Sequence, residues 1–140
     1  MIIDRLSDVL KNKISLLVQL ANVDGHFDTK ERTFIYNVCI RKGVPLAVIG
    51  EIIDEVKPFD FPHNLSHATA VDYLSESLLL MMVDGKVLPS EVKFCLEIGE
   101  ELGFNKRSIE KLIKDLQELN LVTYKQVIKH VARIRFSNTY

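Results

Sequence analysis

The sequence predicts an all-α protein, and three observations carry that expectation. Apolar residues recur at helical spacing along most of the chain, and no stretch alternates apolar and polar residues long enough to compete as a strand. One template also occurs twice, sixty residues apart: Leu20-Ala21-Asn22-Val23-Asp24-Gly25-His26-Phe27-Asp28-Thr29-Lys30-Glu31 and Leu80-Met81-Met82-Val83-Asp84-Gly85-Lys86-Val87-Leu88-Pro89-Ser90-Glu91. Finally, 140 residues at 47% apolar content suffice for one core that needs neither disulfide nor metal.

The elements follow in order. Residues from about 3 to 23 and from 66 to 83 read as long helices ending at Asp-Gly, where Gly25 and Gly85 supply the left-handed conformation a helix C-terminus favours. Ile14, Leu16, Leu17, Val18, Leu20, Ala21 and Val23 spread around the first of these, and Leu74 and Leu78 to Val83 do the same in the second. Helices apolar on most faces are central and buried. A shorter helix follows each loop, starting at Asp28 with Glu31 three residues on, and at Pro89 with Glu91 following. Phe34, Ile35, Val38 and Cys39 form an inward stripe in one, and Val92, Cys95, Leu96, Gly99 and Leu102 in the other, before Gly43 and Gly103 stop them. In the third helices Ile49, Ile52, Ile53 and Val56 align on Ile109, Leu112, Ile113 and Leu116.

Between the repeats, Lys57-Pro58-Phe59-Asp60-Phe61-Pro62-His63-Asn64 is barred from helix by its prolines, while its phenylalanines predict packing against the body. The expected organisation is one domain over 1–140: repeat one at about 3–56, a linker at 57–64, repeat two at about 66–118 and a C-terminal helix at about 124–136. Two copies are too few for a solenoid, so they should pair about a pseudo-twofold axis. The last helix has no counterpart, and Val127, Ile128, Val131 and Ile134 give it an apolar side to lay on the core.

Composition excludes several function classes. A net charge of −1 gives no global attraction to nucleic acid or acidic lipid. Cys39 and Cys95 sit inside apolar helical patterns and read as buried thiols of a reducing compartment. The start, with Asp4 and Asp8, predicts no export signal, and the longest apolar run, Leu78 to Val83, is far below the roughly 18 residues of a membrane span. The expectation is a cytoplasmic protein, with peripheral contact at the inner face of the membrane as the one membrane association left open.

Two Asp-Gly-x-apolar-x-x-x-Glu loops in phase with matching helices resemble the TerB-like family, which includes tellurite-resistance proteins of TerB type and the N-terminal domain of DjlA-type J-domain co-chaperones. The resemblance covers roughly 14–116 and rests on Asp24, Gly25, Phe27, Glu31 and Gly43, then Asp84, Gly85, Val87, Glu91 and Gly103. It implies about seven helices with two central antiparallel ones, and a role in envelope or chemical stress of the tellurite type. Family loops often run Ala-Asp-Gly with further acids; here Val23 and Val83 precede the Asp, and Leu88 and Pro89 replace acidic positions of the second loop. No J-domain signature or membrane span accompanies the unit, so a co-chaperone role is not implied.

Aligned on a calcium loop, Asp24, Gly25, Phe27, Asp28 and Glu31 fill the second half, but Leu20 and Asn22 stand where the first ligands belong. The second loop places Leu80 and Met82 there and Leu88 at the middle acid, leaving Asp84 and Glu91. Calcium wants roughly six to eight oxygens, so the loops read first as folding devices: Asp24 and Asp84 hold the turn, Glu31 and Glu91 close the helix start, and Phe27 and Val87 plug the core. The competing reading is a divalent cation held by Asp24, Asp28 and Glu31, with Asp84 and Glu91 as further candidate ligands and no cofactor otherwise required. His63 and His67, four apart, and His26 read as surface or capping residues.

Lys125, Lys129, His130, Arg133 and Arg135 crowd the last helix, a solvated face that would also suit an acidic protein partner or anionic lipid. Interleaved exposed aromatics are missing, which argues against nucleic acid. There is no phosphate loop, nucleophile elbow or zincin motif, so no catalytic residue is assigned. The reading is a non-catalytic interaction or regulatory module with a protein partner. Its different-class alternatives are a divalent-metal sensor acting through the first Asp-Gly loop and a hydrolase assembled from groups distant in sequence.

Overall fold

A computed structural model describes residues 8–23, 25, 28–54, 65–83, 85, 87–121 and 123–134, apart from the side chains at 8, 9, 48 and 52. Seven helices and no strand occur among these residues, in the order α1 (Asp8–Asn22), α2 (Thr29–Arg41), α3 (Leu46–Asp54), α4 (His67–Met82), α5 (Pro89–Glu101), α6 (Lys106–Glu118) and α7 (Tyr124–Val131). The chain is therefore all-α, as its periodicity requires. The first residues of α2, α4 and α5 and the last of α1, α2, α4 and α5 fall within a residue of where the sequence patterns place them. The 57–64 segment, Val56, Phe27 and the start expected near residue 3 lie outside the described residues.

Helix ends recur at the sixty-residue offset down to single hydrogen bonds. The Val23 and Gly25 amides donate to the Leu20 and Asn22 carbonyls, and the Val83 and Gly85 amides to Leu80 and Met82. Gly25 and Gly85 have φ of 83° and 79°, a region open to glycine and costly to residues with a Cβ. After α2 the Gly43 amide reaches Ile40 and the Val44 amide reaches Cys39; after α5 the Gly103 amide reaches Glu100 and the Phe104 amide reaches Gly99. Each pair of bonds is a Schellman stop, and the following apolar residue, Val44 or Phe104, is buried against the body as that motif favours. Asn120, at φ 52°, ends α6 in the same way, with the Leu121 amide donating to Leu116.

The buried side chains form one cluster, and α1 and α4 supply much of it. In α1, Ile14, Leu16, Leu17, Leu20 and Ala21 are fully buried; in α4 every residue from Tyr73 to Met82 is buried. Helix α4 packs on α1, α5 and α7, α1 packs also on α2, α3 and α5, and α6 packs on α5 and α7. Such a helix must satisfy its own polar groups. Ser75 and Ser77 do so by donating to the Val71 and Tyr73 carbonyls one turn back, at 2.6 and 2.8 Å. Ile109, Leu112, Ile113 and Leu116 are all buried, as are Ile49 and Ile53.

One boundary differs from expectation. Helix α7 stops at Val131 instead of continuing to about 136, because the Arg133 and Ile134 amides donate to His130 and Val131 in tight three-residue turns. Its inward residues remain as the pattern requires: Val127 and Val131 are buried and Ile128 packs against the cluster. No helix among the described residues is long and apolar enough to cross a membrane.

Candidate functional site

The Asp-Gly loops lead into helix starts of unequal completeness. At α2 the Glu31 amide donates to Asp28 Oδ1 at 2.8 Å, and the Asp28 amide donates back to Glu31 Oε1 at 3.3 Å, a full capping box. At α5 the Leu88 amide donates to Glu91 Oε1 at 3.2 Å, but Leu88 has no side-chain acceptor to offer in return. Pro89 compensates in part, since the first helical position has no use for an amide hydrogen. Both glutamates are buried, and Val87 packs against the core. Of the five candidate ligands, the structure brings Asp28 together with Glu31 and places Glu91 at the other helix start; Asp24 and Asp84 lie outside the described residues, as do His26 and His63. Among the described residues no group of three or more His, Cys, Asp or Glu side chains is placed to hold a metal ion.

The basic surface of α7 forms in part. Lys125, Lys129 and Arg133 are exposed, while Arg135 lies outside the described residues. Thr123 caps this helix, accepting from the Gln126 amide, and the apolar side of the helix is already laid on α4. A basic helix that inserts into lipid needs that apolar side free, so contact with anionic lipid in this conformation would be electrostatic alone.

The most concentrated chemistry in the described structure is a cluster the sequence motifs do not mark. Lys13 of α1, only 2% exposed, places Nζ 2.8 Å from Asp72 Oδ2 and 3.2 Å from Glu76 Oε1, both on α4. These are ion pairs by distance, without hydrogen-bond alignment at the ammonium. Arg41, from the end of α2, brings a guanidinium nitrogen to 3.7 Å from the same Glu76 oxygen. From α7 the Tyr124 hydroxyl donates to Asp72 Oδ1 at 2.6 Å. Burial first, and then that hydrogen bond, raise the Tyr124 pKa and keep the hydroxyl a donor. Three helices thus converge on two carboxylates of a fourth, beside a cleft of about 130 Å³ lined by Val38, Arg41, Lys42, Asp72, Glu76 and Tyr124. The available signal was a charge inside an apolar pattern: Lys13 directly before Ile14, and Glu76 between two serines shortly before the apolar run from Leu78.

A second, larger concavity of about 550 Å³ runs along α5 and α6. Val87, Pro89, Val92 and Leu96 give it an apolar wall, edged by Lys93 and Glu97. Both cysteines are buried and free. Burial pushes the Cys39 thiol up to about 11, and burial followed by the nearby Glu91 raises Cys95 further, so neither is a thiolate near neutral pH. His67 is an exposed residue of the first turn of α4, its ring 6.3 Å from that of Phe104.

No protein-family model, curated protein or solved structure matches the chain at a significant level.

Proposed function

We propose that the chain is a TerB-like module of two pseudo-symmetric three-helix repeats with central antiparallel helices, that it acts without catalysis as an interaction or regulatory domain, and that it serves an envelope or tellurite-type stress response. The observation that supports the fold part is the recurrence, sixty residues apart, of left-handed glycines, Schellman stops and glutamate-closed helix starts. Such agreement at the level of single hydrogen bonds is what duplication of one helix-loop-helix unit leaves behind. The interaction part is supported by the α5–α6 concavity, whose apolar wall and charged edges have the character of a groove that receives an amphipathic helix of a protein partner.

The test is site-specific cross-linking in the native cell. A photo-reactive residue replacing Leu96, in the groove, should trap one discrete protein, and the same residue at the exposed Lys111 should not. Adding Val92→Glu to the Leu96 probe should abolish the product. An identical spread of products from both positions would remove the interaction reading, and a reaction product formed by purified protein from a small-molecule substrate would replace it with an enzyme.

A further inference from the structure

The ends of α2 and α5 hold corresponding places in the two halves and carry opposite surface chemistry. Glu100 and Lys106 both line the α5–α6 concavity. Their counterparts sixty residues earlier are Ile40 and Leu46, which likewise flank a Schellman stop and open the next helix. Since Glu100 and Lys106 share one concavity, the matching backbone puts Ile40 and Leu46 on one face of the α2–α3 corner. Both are exposed, at 50% and 68%. A pair of large apolar side chains held together in water differs from the scattered single exposures that any surface carries. Arg41 and Lys42, also exposed, lie between them in the chain, and no acidic residue occurs between Glu31 and Glu51. The end of α5 is the reverse: Glu97, Glu100 and Glu101 are exposed there, beyond the half-buried Val92 and Leu96 of the apolar wall.

We propose that the α5–α6 concavity receives the α2–α3 corner of a second copy of this chain, with Ile40 and Leu46 against Val92 and Leu96, and Arg41 and Lys42 toward the acidic end of α5. This rests on the reading of the concavity as a partner groove and names the partner. Lys93 and Lys106 also edge the concavity, so the excess of acid is local to the last turns of α5, and the cations of the corner belong there. Like pairings are disfavoured. Corner to corner would set Arg41 and Lys42 against their own copies, and concavity to concavity would bring two hollows together with no apolar side chain to fill them. The unlike pairing avoids both defects and makes the contact head to tail.

The experiment is sedimentation of the purified full chain. Its average mass should rise above that of one chain with protein concentration and fall back with added salt, which screens the rim charges. Leu46→Lys, which copies the residue at its counterpart, spoils the corner and leaves the concavity intact; Leu96→Glu does the reverse. Each alone should weaken self-association at least about tenfold, through the apolar contact it removes. Mixed, the two variants should form a complex that stops at two chains, because one intact corner and one intact concavity remain to meet. Should Leu96→Glu fail to fold, Glu100→Lys at an exposed edge takes its place, and adding Lys42→Glu to it should restore association by exchanging the charges. A chain that stays monomeric at millimolar concentration would overturn the proposal, as would association that Leu46→Lys leaves unchanged, or a mixture no larger than the variants alone. A monomeric chain whose Leu96 probe still traps a different protein in the cell would overturn it and leave the groove reading standing. A monomeric chain with an indiscriminate spread of cross-links would remove both.

Discussion

The two halves of the chain build the same turns and bury different side chains in them. Gly25 and Gly85, Gly43 and Gly103, and Glu31 and Glu91 do the same backbone work at the same offset. Inside, equivalence ends: Lys13 corresponds to Tyr73, Glu76 to Leu16, Cys39 to Gly99 and Asp28 to Leu88. Turns and glycine stops are local solutions fixed by one or two residues, so both halves share them. Packing is settled between halves, where each side chain answers a neighbour from elsewhere, and there the two halves differ. The ionic cluster shows the difference most plainly, since Lys13 and Glu76 have the uncharged Tyr73 and Leu16 at the same offset, both fully buried.

Removing one member of that cluster should have the largest effect. Lys13→Met leaves Glu76 buried with its strongest partner gone, and a cost of about 3–5 kcal/mol is expected in urea unfolding. Lys13→Met combined with Glu76→Leu, which moves both positions toward the apolar character of their counterparts, should cost less than Lys13→Met alone. A single-variant cost below about 1 kcal/mol would put the pair in the class of surface bridges and dissolve the contrast between halves.

How far this was legible in the sequence follows the same division. Helices, their glycine stops, the glutamate-closed starts and the burial of both cysteines could be read from local pattern, because each depends on neighbours within a turn or on periodicity. The end of α7 could not, since apolar spacing continues to Ile134 while the backbone has already tightened into turns. The Lys13, Arg41, Asp72, Glu76 and Tyr124 cluster could not either: its residues come from four helices, and only tertiary packing brings them together. The cleft they share is a property of that packing.

Exchanging Gly99 for the residue at its counterpart should be next in size. A Cβ at Gly99 would run into Ile109 Cδ1 and stand 3.7 Å from Leu74 Cδ1, so Gly99→Cys should cost about 1–3 kcal/mol by overpacking α5 against α6. Ile109→Val removes the colliding methyl and should recover part of the loss, a non-additive result readable by thermal unfolding. Additive losses would mean that the strain lies elsewhere.

Equal effects are expected where the halves agree. At Gly25 and at Gly85 a Cβ meets nothing within 4 Å, so Ala substitution should cost only the left-handed conformation, about 1–2 kcal/mol at each site. A large difference between the two would show that the turns are energetically unequal despite matching bonds. Their agreement would mean that the second loop retains the full mechanical role of the first even without its middle acid.

The smallest test separates the mechanical role of the first loop from an ionic one. Asp28→Leu copies the second helix start into the first and should cost about 1 kcal/mol, the usual loss of a capping side chain. The reverse change, Leu88→Asp, should gain less, because the new cap is offset by the half-buried Leu it displaces. If Asp28 and Glu31 serve the cap alone, calcium, magnesium, manganese and zinc should leave the melting temperature of the wild type where it is. A ligand that binds the folded state raises it with saturation, so a rise lost in Asp28→Leu would instead make the first loop an ion site and confine that function to one half of the molecule.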